Sequence, residues 1–182
     1  MAHDNTDNAR AAEFDLLFRT YRSKVFRFAL ASLRDRDVAE TITQDCFLRA
    51  YKGLDRFRND CSCHTWLMQI AVNLVRDHTR NRRFQFWKRV ERAGLPAESL
   101  GDRMQDGQSS PESRMLLKEQ VGAIWVAAAG LPERQRTVFL LRFVEDMDIL
   151  EIAAVAGMKE GTVKAHLFRA LHAVRERLGA AR

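Results

Sequence analysis

The residues that could do bond-making or metal chemistry are few and lie close together. Cys61-Ser62-Cys63-His64 puts two thiols and an imidazole within four positions, and Cys46 is the only other cysteine. Thiolates and imidazole suit zinc or a redox role. Three ligands so close in sequence make poor tetrahedral geometry unless a fourth comes from elsewhere. Cys46 falls in the apolar stripe of another segment, so these residues read first as loop and core positions, with a metal or redox site as the alternative. A cysteine nucleophile needs a base within hydrogen-bond reach. His64 adjoins Cys63 too closely for an obvious dyad, and His78 or His166 would need tertiary approach. No phosphate-cradling glycine loop, paired-carboxylate spacing or HExxH pattern is present. The chain therefore reads as a non-enzyme with no catalytic residues, metal, cofactor or small-molecule substrate.

Polyanion binding is the second chemistry. The chain of 182 residues carries 30 Lys plus Arg against 24 Asp plus Glu, a net charge of +6, and its pI is near 9.6. The charge is uneven: residues 1–96 carry +6, residues 97–114 carry −2 and residues 115–182 carry +2. Arg76 to Arg92 holds seven basic residues against Asp77 and Glu91, with Phe84, Phe86 and Trp87 inside the run. Cations bind phosphates and aromatic faces stack on unpaired bases. A solvated helix end whose aromatics pack on the body is the plainer reading of that run.

Helices must position these groups. Phe14, Leu17, Phe18, Tyr21, Val25, Phe28 and Ser32 repeat at helical spacing over 14–33. Asp37 with Glu40 resembles a capping box opening a second helix to about Gly53, and a third starts near Thr65 after a polar connection. Residues 93–114 contain two prolines and three glycines among few large apolar residues, which makes a flexible linker able to reach on the order of 70 Å when extended. A helix over 115–129 follows, then one entered through Pro132 and Glu133. Asp148 with Glu151 caps a short helix, Gly157 turns the chain, and a last helix runs from about Glu160 to Leu178. The last two helices form a helix-turn-helix, a spacing that ordinary helical hairpins share. Its second helix would point Thr162, Lys164, Ala165, Phe168 and Arg169 outward, with Val163 and Leu167 inward.

The fold class expected is all-α, two small helical domains (1–92 and 115–182) joined by the linker. With 46% hydrophobic residues the chain can bury a core. No run approaches 18 uncharged apolar residues and no signal peptide is visible, so a reducing cytoplasm is the compartment expected.

Longer motifs carry a resemblance. Leu131-Pro132-Glu133-Arg134, Glu151-Ile152-Ala153, Gly161-Thr162-Val163-Lys164 and Leu167-Phe168-Arg169-Ala170 resemble region 4 of bacterial sigma factors. Asp37-Val38-Ala39-Glu40 and Gln44-Asp45-Cys46-Phe47-Leu48-Arg49-Ala50-Tyr51 resemble region 2.2. Phe57-Arg58-Asn59-Asp60, Thr65-Trp66-Leu67 and Ile70-Ala71-Val72-Asn73 resemble regions 2.3 and 2.4. Two such domains and a short linker are the plan of the extracytoplasmic function (ECF) group.

The resemblance implies a factor that binds core RNA polymerase and directs initiation at promoter DNA. Gln44, Asp45, Leu48 and Arg49 would dock on the polymerase clamp helices; a solvated face with one exposed Leu is the alternative. Arg58, Asn59, Asp60 and His64 would capture a flipped base of the minus-ten element, supported by Asn73, Arg76 and Arg80. Asn73 could instead be an interior polar residue. Lys159, Thr162, Lys164, Ala165, His166, Phe168 and Arg169 would read the minus-thirty-five duplex. Lys159 stands where the family often has Ser or Thr, and His166 where Arg is frequent. An anti-sigma factor, often membrane-anchored in this group, would hold the protein inactive. A stand-alone helix-turn-helix regulator is the rival reading, and it leaves the region 2 resemblance unexplained.

Overall fold

The structure is a computed structural model. It describes residues 2–58, 60–93 and 122–180, with side chains over 10–58, 60–82 and 122–179. Asn59, the side chains of Phe84, Phe86 and Trp87, the linker beyond Ala93 and the helix expected over 115–121 lie outside the described residues. The chain divides into two compact units, Met1–Asp77 and His78–Arg182. Every element among the described residues is helical, and no helix there is long and apolar enough to cross a membrane.

In the first unit α1 (Ala2–Leu33) starts well before the expected residue 14. It stops where Arg34 takes a left-handed φ of 56°, a conformation that ends right-handed helices. Helix α2 (Arg36–Gly53) is capped by Asp35, whose carboxylate accepts the Val38 N–H at 3.1 Å. The cap is thus two residues earlier than the Asp37 box read from the sequence. Both aspartates can accept an N–H, but only Asp35 has the extended backbone of a cap, with Asp37 already inside the first turn. A 3-10 turn (Leu54–Arg56) leads toward α3 (Cys63–Ala93), which starts two residues earlier than expected.

The stripe foreseen on α1 is real: Leu17, Val25, Phe28 and Ser32 are buried. Ile42, Cys46 and Phe47 of α2 and Leu67, Met68 and Ala71 of α3 are buried as well. A fully buried side chain such as Phe28 or Leu67 contributes about 1.5–3 kcal/mol. Phe14 and Phe18 meet the Phe47 ring edge-on at 6.3 and 4.8 Å. Phe57 stacks on Trp66 at 4.6 Å.

In the second unit a helix α4 is described over 122–129. It is followed by α5 (Glu133–Phe143), α6 (Ile149–Ala156) and α7 (Glu160–Ala180). Pro132 occupies the cap position and Glu133 is the first helical residue, one place later than the sequence reading. Asp148 and Glu151 form the expected capping box, at 2.8 and 2.9 Å. Gly157 closes α6 at φ 63°, where a residue with a Cβ is strained. Val138, Leu141, Ile152, Val163 and Ala170 are buried together. Arg177 reaches back from α7 to the C-terminal carbonyls of α4, donating to Ala127 O at 2.6 Å and Gly130 O at 2.9 Å. Arg136 donates to Ala129 O at 3.1 Å. Two cations thereby satisfy carbonyls that a helix end leaves orphaned.

Candidate nucleic-acid interface

The second unit presents a reading helix. Helix α7 starts after Lys159, whose carbonyl accepts the N–H groups of Thr162 and Val163. With Val163 fully buried, helical geometry turns Thr162, Lys164 and Arg169 outward, and all three are exposed. Phe168 is 71% exposed, unusual for an aromatic side chain. Ala165 and His166 are half-buried, and so is Leu167, which the sequence placed inside. Arg169 and Phe168 line a shallow depression with Gln135, His172 and Ala173. Burial pushes the His166 imidazole below the usual histidine range, and the Arg169 and Arg134 charges add to this. Its buried Nδ1 has no hydrogen-bond partner among the described residues.

In the first unit the polar connection leads into α3. Arg58 and Asp60 are exposed. Ser62 caps α3, its hydroxyl accepting the Thr65 N–H at 3.0 Å and sharing a 2.8 Å bond with the Thr65 hydroxyl. His64 is half-buried and lies flat on Tyr21 of α1, 5.7 Å between ring centres and 10° between planes. Asn73 is exposed, not interior, and its Oδ1 accepts from Arg76 Nη2 at 2.7 Å. Arg76 is exposed, as is Arg80 in the second unit. On α2, Gln44, Asp45, Leu48 and Arg49 are all exposed, opposite the buried Ala39, Ile42, Thr43 and Cys46. Leu48 is 52% exposed.

Family models described as Sigma-70 region 2 and Sigma-70, region 4 match residues 17–85 and 122–174. The chain is 32% identical to the RNA polymerase sigma-H factor of Pseudomonas aeruginosa over 165 residues, 88% of this chain and 83% of that protein. It is 31% identical to the ECF RNA polymerase sigma-E factor of Escherichia coli K12 over 171 residues, 88% of this chain and 84% of that one. The chain belongs to the ECF group of the sigma-70 family.

Solved structures share the fold of this sigma factor. One is the sigma factor RpoE of Bartonella quintana, solved in complex with the anti-sigma factor NepR. It matches with a TM-score of 0.70 and 21% identity, covering 93% of this chain and 99% of that one. CnrH, solved with the cytosolic domain of CnrY, matches with a TM-score of 0.64 at 21% identity, covering 93% and 89%. The cysteines of this sigma factor are free: Cys46 buried, Cys61 and Cys63 half-buried. Among the described residues no three His, Cys, Asp or Glu side chains gather as a metal cage. Burial pushes the Cys46 thiol up to about 12. Cys61 is also raised, by burial and by the neighbouring Asp60 and Cys63 charges.

Sequence reasoning passed over Tyr21 and Ser62. Ser62 carried a local signal, a hydroxyl three residues before Thr65 at the head of an apolar run. Tyr21 carried none beyond its place in a core stripe, since its partner is 43 residues away.

Proposed function

We propose that this sigma factor uses two domains, 1–92 and 115–182, for separate contacts in transcription initiation, in the cytoplasm and without chemistry of its own. Helix α2 docks on core RNA polymerase through Gln44, Asp45, Leu48 and Arg49. Arg58, Asn59, Asp60 and His64 take up an unpaired base of the minus-ten element, with Asn73, Arg76 and Arg80 along the nucleic-acid backbone. Flipping a base costs a few kcal/mol, which contacts to its Watson–Crick edge offset. Lys159, Thr162, Lys164, Ala165, His166, Phe168 and Arg169 face the minus-thirty-five duplex. The domain limits that go with this are 1–92 and 115–182, with 93–114 as the span between them. The E. coli and P. aeruginosa relatives are named RNA polymerase sigma factors, and the RpoE fold neighbour was solved with the anti-sigma factor NepR, so control by an anti-sigma factor is part of the reading.

The observation that carries it is the exposed Thr162, Lys164, Phe168 and Arg169 face of α7, beginning at a helix start behind a left-handed Gly157. Side chains at the start of such a helix reach base edges in the major groove. Run-off transcription with core polymerase is the test. Promoter-specific transcripts that appear only when the protein is added support the reading. DNA binding without initiation would make it a simple regulator.

A further inference from the structure

Helix α2 continues outward beyond the four residues assigned to docking. Gln44, Leu48 and Tyr51 stand at i, i+4 and i+7, so they share one face, and Tyr51 is 41% exposed. What holds Tyr51 is on α1, seven residues before the stretch that the region 2 family model matches. Arg10 Nη2 donates to the Tyr51 carbonyl at 3.2 Å. The same nitrogen pairs with Asp55 Oδ2 of the 3-10 turn at 3.0 Å. Its guanidinium carbon lies 5.0 Å from the centre of the Tyr51 ring. Phe14, one turn further along α1, meets that ring edge-on at 5.0 Å and 73°.

We propose that Arg10 is a positioning residue for polymerase docking, holding the Tyr51 ring and the last turn of α2 where core polymerase engages them. The inference rests on the reading of α2 as the docking helix. The Tyr51 carbonyl also accepts the Leu54 N–H, so Arg10 adds a second donor there, and a cation at a helix C-terminus complements the negative end of the dipole. A guanidinium can face a carbonyl, a carboxylate and a ring together because it is planar and carries five donors, which an ammonium cannot do. The surface so held is apolar at Leu48 and Tyr51, with the cations Arg49 and Lys52 exposed beside them. Apolar anchors edged by cations fit a helical partner that presents apolar residues flanked by carboxylates.

The test is a titration of the labelled full-length chain with core RNA polymerase. Arg10→Ala is expected to weaken binding about five- to tenfold, within the range of interface residues that matter. Tyr51→Ala should weaken it at least as much, and the double variant should bind within twofold of Tyr51→Ala alone. Such non-additivity is the mark of one residue acting through another. Arg10→Lys should stay within twofold of Arg10→Ala, since charge alone does not restore the planar contacts. Arg10→Gln replaces Arg10→Ala in the cycle if the latter does not fold. Wild-type affinity in the Arg10 variant, full recovery by Lys, or an equal loss with and without Tyr51 overturns the inference. Leu48→Asp separates the two ideas: if it too binds like wild type, the docking reading of α2 has failed, whereas its loss beside a silent Arg10 variant sinks the Arg10 role alone.

Discussion

At the scale of single residues, the protein keeps reactive groups quiet or exposed according to burial. His166 is held below its ordinary value by burial, with the Arg169 and Arg134 charges adding to it. The unfolded chain therefore takes up a proton at a pH where the folded chain does not, so stability falls as pH drops through the usual histidine range. Urea unfolding of the wild type between pH 7 and pH 5 should show this decline, and His166→Gln should flatten it. An unchanged slope in that variant would assign the pH dependence to other groups. The thiols separate in the same way. Thiolate is the nucleophile, so iodoacetamide at pH 8 should label Cys61 and Cys63 in the native chain and spare Cys46 until denaturant is added, as read by mass spectrometry. Cys61 should react more slowly than a free thiol, because its raised value leaves less thiolate. Early native labelling of Cys46 would contradict its burial.

At the scale of elements, the caps are where sequence and structure can be compared closely. The Asp148–Glu151 box was legible from its i, i+3 spacing, although Asp146, two positions earlier and at a left-handed φ of 52°, offers another carboxylate. The start of α2 was misread because Asp35 and Asp37 offer the same oxygen two positions apart, and only backbone conformation chooses between them. The Tyr21–His64 and Phe57–Trp66 stacks were not legible as contacts, because ring pairing between distant segments depends on packing and leaves no local pattern. The exposed face of α7 was readable from periodicity, and two half-buried residues depart from it at the edge of the core: Ala165, expected outside, and Leu167, expected inside. Asp148→Ala should destabilise the second unit by about 1 kcal/mol in chemical denaturation. Arg177→Ala removes charge-assisted bonds to two carbonyls and should cost about 1.5–3 kcal/mol. A loss below a few tenths in the Arg177 variant would mean that water replaces the guanidinium without penalty.

For the whole molecule, two units with separate surfaces predict separable defects. Leu48→Asp should abolish binding to core polymerase while leaving the affinity of the chain for minus-thirty-five duplex within twofold. Lys164→Ala should leave core binding within twofold, weaken duplex binding and lower its salt dependence by about one phosphate contact. Joint loss in either variant, measured by the same two titrations, would show that the surfaces are not independent. The all-helical class and the two-part plan were legible because helical periodicity and a polar, Pro- and Gly-containing stretch are local properties. The side of each helix that a partner would use was legible only through what the core leaves over. The tie from Arg177 to Ala127 and Gly130 has a consequence for synthesis. A chain grows from its N-terminus at about 5–20 residues per second. The first compact unit ends at Asp77, and Arg177 follows it by one hundred residues, or roughly 5–20 s of translation. During that interval the nascent chain can already expose the proposed docking face of α2, while the helix that would read duplex DNA still lacks the arginine that ties it to the Ala127 and Gly130 carbonyls.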